Sequence, residues 1–116
     1  MQAQGVHHVA INVADVDEAI AFYTKRLGLT VRSDRPDFGF PGAWLDAGDQ
    51  QIHLVRAPTP AAQGQHFALL VTDLDAAIEE LRGSDVHVSD AVPVGSARQA
   101  FVTDPSGNTI ELHQRG

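Results

Sequence analysis

A thirteen-residue stretch occurs twice, and this repetition restricts the possible folds more than any other feature of the chain. His8 to Ile20, HVAINVADVDEAI, returns as His66 to Ile78, HFALLVTDLDAAI. His8, Ala10, Val13, Asp15, Asp17, Ala19 and Ile20 are matched by His66, Ala68, Val71, Asp73, Asp75, Ala77 and Ile78. Chance would give roughly one identity in such a window. The same offset of 58 residues carries Ile52-His53-Leu54 onto Ile110-Glu111-Leu112 and Asp46 onto Asp104, so the repeat spans the chain without a net insertion. The 116 residues then form one domain of two like modules, 6–56 and 65–114, joined by a linker at 57–64. A module of that size buries only about 60% of its unfolded surface, so each needs the other, or a second chain, to complete a core.

Within each module the apolar spacing changes from period two to helical period. Val9, Ile11 and Val13 alternate with His8, Ala10 and Asn12, which predicts a half-buried strand. Asp15, with Glu18 three residues on, predicts a capped helix ending near Gly28, whose stripe of Val16, Ala19, Ile20, Tyr23 and Leu27 packs on the apolar face of that strand. Leu29 to Arg32 reads as a short strand. Ser33 to Gly42, SDRPDFGFPG, is too rich in Pro, Gly and Asp for regular structure, and Ala43 to Asp46 and Gln51 to Arg56 read as two strands about a turn at Gly48. The second module repeats the plan: a strand from Gln65 to Val71, a helix capped by Asp73 running to about Arg82, and short strands near Val86 and Val88. A strand from Arg98 to Thr103, a turn over 104–108 and a last strand from Thr109 to His113 complete it. The expected class is α+β, with two tandem βαβββ modules.

Strand alternation decides which polar side chains can meet. His8, His53, His66 and Glu111 all fall on the face opposite the apolar one, away from the helices, and they form two repeat-equivalent pairs, His8/His66 and His53/Glu111. A twofold relation between modules would bring the four to one centre. Three imidazoles and a carboxylate are a donor set for one divalent first-row metal, with room for water or substrate. His7 points the other way by alternation, and His87 and His113, without polar repeat partners, are expected to be solvated. Trp44, Phe38 and Phe40 either line a substrate pocket beside that centre or pack the edge of a loop. Arg98 or Arg56 either binds a substrate anion or is an ordinary surface arginine.

A formal charge of −7 argues against a nucleic-acid partner, which would require many phosphates to be neutralised. No apolar run approaches the roughly 20 residues of a membrane helix. MQAQGV lacks the basic and apolar regions of a signal peptide, so a cytoplasmic location is expected. The absence of cysteine excludes disulfides, thiolate metal sites and a cysteine nucleophile. A small-molecule substrate is the expected partner. A homodimer is expected as well, because modules of half-domain size leave sheet edges that a second copy can cover.

HVAINVADVDEAIAFYTKRLGL, QIHLV, HFALLVTDLDAAIEEL and FVTDPSGNTIEL together resemble the vicinal oxygen chelate superfamily, the glyoxalase/bleomycin-resistance/dioxygenase group, over essentially the whole chain. The resemblance implies paired βαβββ modules whose mixed sheet curls into a cup, helices on the convex face, around one divalent ion (Zn, Ni, Co, Mn or Fe) held by His8, His53, His66 and Glu111. It also implies a metal-dependent lyase or isomerase of the glyoxalase I kind; Glu111, the only carboxylate of the four, is the expected base and a labile ligand, with His53 either a fixed ligand or the second proton carrier. Glyoxalases typically carry glutamate where this chain has His53. Three other activities occur in the group: drug sequestration as in bleomycin-resistance proteins, thiol transfer as in fosfomycin resistance, and Fe(II)-dependent ring cleavage.

Overall fold

The computed structural model describes residues 1–116 and divides into two compact units, Met1–Pro60 and Ala61–Gly116. Unit 1 contains β1 (His8–Val13), α1 (Val16–Ala21), β2 (Thr30–Val31), β3 (Gly42–Ala47) and β4 (Gln50–Arg56). Its sheet has the order β1-β4-β3-β2, with β1 parallel to β4 and the remaining neighbours antiparallel. Unit 2 contains β5 (Phe67–Leu70), α2 (Leu74–Gly83), β6 (Val92–Val94), β7 (Ala97–Thr103) and β8 (Thr109–Gln114), in the order β5-β8-β7-β6 with the same parallel first pair. Both are βαβββ modules with mixed sheets, as the repeat implies. No helix is long and apolar enough to cross a membrane.

The parallel pair in each sheet requires a crossover between its strands, and the helix supplies its beginning. The Asp15 carboxylate accepts the Glu18 amide at 3.0 Å, and Asp73 accepts that of Ala76 at 3.0 Å, so the duplicated aspartates start both helices. Behind α1 lie Val13, Leu45, Ile52 and Leu54, all nearly inaccessible, with Ala19 and Tyr23 above them. Behind α2 lie Ala100, Val102, Ile110 and Leu112, with Leu74, Ile78 and Leu81 above. Each large apolar side chain removed from water in these layers stabilises by about 1.5–3 kcal/mol. Burying one face fixes the register, since a one-residue slip would turn that face outward.

Several elements depart from the expectation. α1 ends early and continues as a π turn over Phe22–Arg26, where the Thr24 hydroxyl donates to the Ile20 carbonyl at 2.7 Å. Phe22, which the stripe at 3.6-residue spacing leaves outside, is also in the core, edge-on to Tyr23. In unit 2 Val88 makes only an isolated bridge to Val102, and Val86 is in no strand; the outer strand is Val92–Val94 instead. Pro93 hides that strand from a propensity reading but is tolerated because β6 lies at the sheet edge.

The uniform offset fails at one point. Trp44 pairs with His53, whereas Phe101, not residue 102, pairs with Glu111. The β3–β4 connection is the two residues Gly48 and Asp49, while the Asp104 amide bonds to the Asn108 carbonyl at 2.9 Å and leaves three residues, Pro105 to Gly107, at the tip of the β7–β8 connection. Asp46 sits in a strand opposite Gln51, so its counterpart is Thr103 opposite Thr109, and Asp104 has a separate task. Only 4% exposed, Asp104 accepts the amides of Ser106 at 2.9 Å and Asn108 at 2.8 Å on Oδ1, and the Asn108 side-chain amide at 2.9 Å on Oδ2.

Candidate functional site

In unit 1 the β1–β4 register sets His8 beside Gln51 and Ala10 beside His53, so the two imidazoles are diagonal neighbours on the face away from α1. Their rings stack at 3.9 Å and 12°. β4 lies between β1 and β3, and from β3 the Trp44 indole stacks on His53 at 4.5 Å and 11°. His53 is thus enclosed between two flat rings and is 8% exposed. Burial first, then the neighbouring His8, His7, Arg32 and Arg35, hold its pKa below the ordinary 6.5, so the ring is neutral at neutral pH. With Nε2–H donated to the Gln51 side-chain oxygen at 2.8 Å, Nδ1 keeps a free lone pair. His7 Nδ1 lies 2.9 Å from His8 Nδ1.

In unit 2 His66 precedes β5, and its Nδ1–H donates to the Gly64 carbonyl at 2.8 Å. This fixes the tautomer, leaving Nε2 to face Glu111 Oε1 at 3.1 Å. In a neutral imidazole that contact would set two lone pairs against each other. A cation must stand between them, either a proton on Nε2 or a metal ion in its place. The Gly64 carbonyl first, and Glu111 second, accordingly raise the His66 pKa above 6.5. On the other side of the carboxylate, His113 Nδ1–H donates to Oε2 at 2.9 Å. Phe101, opposite Glu111 in the ladder, meets the His66 ring edge-on at 5.4 Å.

The expected residues therefore assemble as two pairs, His8 with His53 and His66 with Glu111. Trp44 joins the first pair, with Phe38 at 6.2 Å from its ring and Phe40 at 5.7 Å from Phe38. Arg98 does not: it lies on the helix side of β7 and makes two bonds to the Asp75 carboxylate at 2.8 and 3.1 Å, so it is not free for a substrate anion. Arg56 lines a separate hollow with Pro41 and Pro58. The expectation of a solvated His113 is corrected by its bond to Glu111. Sequence reasoning missed His113 for want of a repeat partner, although strand alternation already put it on the Glu111 face. It missed Phe101 because the one-residue slip misaligned it with Trp44.

Donor chemistry fits a divalent ion. His66 is oriented through its second nitrogen, Glu111 through its second oxygen, and His53 is neutral with one lone pair free. No three His, Asp or Glu side chains stand together in a metal-binding arrangement, and each pair offers two donors.

The two histidines should titrate on opposite sides of 6.5. His66, raised, contributes stability that is fully present below 6.5 and lost as pH rises through its folded value. His53, lowered, contributes stability that is present above 6.5 and lost as pH falls through its folded value. NMR of the imidazole Cε1–H groups in metal-free protein should resolve this order. The reverse order would contradict the contacts described.

Tandem βαβββ modules, each presenting paired imidazole or carboxylate side chains from the face away from its helix, define the vicinal-oxygen-chelate type of protein. The chain belongs to the Glyoxalase/Bleomycin resistance protein/Dioxygenase superfamily, whose family model matches residues 5–112. It is 32% identical to a lactoylglutathione lyase of Arabidopsis thaliana over 94% of its own length and 44% of that enzyme's, so it spans less than half of that relative. A lactoylglutathione lyase of Salmonella typhimurium is 33% identical, with 90% of this chain and 88% of the enzyme covered. Among solved structures, TnmS3, an antibiotic binding protein from Streptomyces, has a TM-score of 0.85 at 27% identity, covering 100% of this chain and 99% of that one.

Proposed function

We propose that the protein is a metal-dependent lyase or isomerase of the glyoxalase kind, moving a proton within a small α-hydroxycarbonyl compound or thiol adduct. The observation that carries this reading is the His66–Glu111 contact, an imidazole lone pair aimed at a carboxylate and in need of a cation. His8, His53, His66 and Glu111, contributed by the units of one chain or of two copies in a homodimer, would hold one divalent ion, Zn, Ni, Co, Mn or Fe. When bound, that ion would polarise a carbonyl and its neighbouring hydroxyl, acidifying the C–H between them.

The chain's own groups do the rest. Glu111, the only carboxylate of the four, takes the proton, and His113 holds its far oxygen so that the carboxylate keeps one orientation. Glu111 then returns that proton to the neighbouring carbon, and His53, neutral and with its Nδ1 lone pair free, serves either as a fixed ligand of the ion or as the group that takes up a proton and passes it on, at the position where glyoxalases use glutamate. Trp44 and His8 shield its ring faces from water.

The test is elemental analysis of reconstituted protein, followed by thioester formation from methylglyoxal with a panel of thiols. One ion per four-ligand set, with turnover lost in Glu111→Gln, is the expected result. No metal after reconstitution would overturn the reading. An inert wild type beside an active His53→Glu variant would keep the metal centre and reject glyoxalase chemistry as the native reaction. Sedimentation should show a dimer at micromolar concentration.

A second reading, sequestration of a ligand without turnover, is favoured by the exposed aromatic side chains Phe38 and Phe40 and by the likeness to an antibiotic binding protein. Tight binding of a compound that is recovered unchanged, with or without metal, would support it.

A further inference from the structure

Beyond the histidine pair of unit 1 the aromatic row continues outward. From His53 it passes to Trp44, then to Phe38 at 6.2 Å and to Phe40 at 5.7 Å. Phe38 and Phe40 are 49% and 46% exposed, on a loop that could have hidden them. The loop has a defined shape: the Asp37 carboxylate accepts the Gly39 amide at 2.8 Å, and Gly39 takes a φ of 82° that suits glycine. At the end of the row the Arg35 guanidinium lies 5.0 Å from the Phe38 ring centre and 5.4 Å from that of Phe40. Arg32, Arg82 and Arg98 are each paired with aspartate, but no ion pair of the chain includes Arg35, which donates from Nη2 to the Phe40 carbonyl at 3.1 Å. Its seat is made by Gly42, where a Cβ would stand 2.7 Å from Arg35 Nη2 and 2.5 Å from the Leu54 carbonyl oxygen.

A partly exposed row of aromatic rings with an unpaired cation over its two outer rings suits a ligand with complementary parts. We propose that Trp44, Phe38, Phe40 and Arg35 form the substrate-recognition ledge, selecting a planar aromatic compound that carries a carboxylate. The aromatic body stacks on the row, the carboxylate meets Arg35, and the reacting carbonyl end is directed to His53. Stacking and a charge-assisted hydrogen bond then distinguish this ligand from an aliphatic one of equal size. The identity of the reacting end rests on the lyase reading given above; recognition by the ledge does not.

Trp44 is the only tryptophan, so its fluorescence reports occupancy of the ledge without metal or turnover. The probes are biphenyl-4-carboxylate, its neutral carboxamide, and the fully saturated 4-cyclohexylcyclohexanecarboxylate, titrated into metal-free full-length protein. Biphenyl-4-carboxylate should quench Trp44 saturably, with the other two binding roughly tenfold or more weakly. Arg35→Met should reduce carboxylate affinity to that of the carboxamide, Arg35→Lys should recover part of it, and Phe38→Ala should weaken both aromatic probes. Circular dichroism of each variant checks that the fold is retained. Equal binding of the saturated acid, no effect of Arg35→Met in a folded variant, or no saturable quenching up to millimolar probe would overturn the ledge. Because the titration contains no metal, these failures are separate from failure of the metal centre, which elemental analysis reads alone.

Discussion

Replacing Glu111 with glutamine should lower turnover by about 10²–10⁴-fold on any substrate the protein accepts, which is the range that loss of a positioned base produces. Glutamine is nearly isosteric, and its side-chain oxygen can still accept the His113 Nδ1–H bond made at 2.9 Å in the wild type. What it cannot do is take a proton or carry the negative charge that faces His66 Nε2 at 3.1 Å. The His66 pKa in metal-free protein should therefore fall toward its ordinary value, although the Gly64 bond remains. Single-turnover kinetics combined with imidazole NMR reads both effects. A variant that keeps its metal and full turnover would show that Glu111 is not the base.

The largest expected loss of stability away from the site is at Asp104. Its carboxylate accepts two backbone amides and one side-chain amide while 4% exposed, so Asp104→Ala leaves three donors without their acceptor. At about 1 kcal/mol or more for each, the cost is about 3 kcal/mol, a large share of the roughly 5–15 kcal/mol that holds a domain together. Asp104→Asn keeps an oxygen for the two backbone amides and should cost about 1 kcal/mol. Urea unfolding measures both. Equal midpoints for Asp104→Ala and wild type would show that water replaces the carboxylate without penalty. The turn also leads directly into β8, so slower proton exchange protection at Ile110 and Leu112 should be lost in the alanine variant before the global transition.

How far the sequence discloses this molecule depends on whether a signal is local and repeated. The two helix starts are legible because Asp15 and Asp73 cap through their own side chains, a short-range interaction. The polar face carrying His8, His53 and Glu111 is legible because a strand has a period of two and the opposite face is apolar. Three things are not legible for physical reasons. The π turn depends on Thr24 bonding back to Ile20, which changes the helical period after it is read. β6 has a proline that only an edge position excuses. The pairing of Phe101 with Glu111 depends on hairpin length, and counting residues from the first unit assigns the position to Val102. Arg98 was open to two readings from sequence, and only its distance to Asp75 decides between them.

That single extra residue in the second hairpin bears on how a duplicated chain divides its labour. One unit presents two imidazoles under an indole, and the other presents an imidazole and a carboxylate beside a phenyl ring. A chain built from the first unit twice would carry four imidazoles and no carboxylate base. One built from the second twice would carry two carboxylates and lack the tryptophan. The halves have ceased to be interchangeable copies, and an engineer who restored their symmetry would remove either the only carboxylate of the four residues or the only indole.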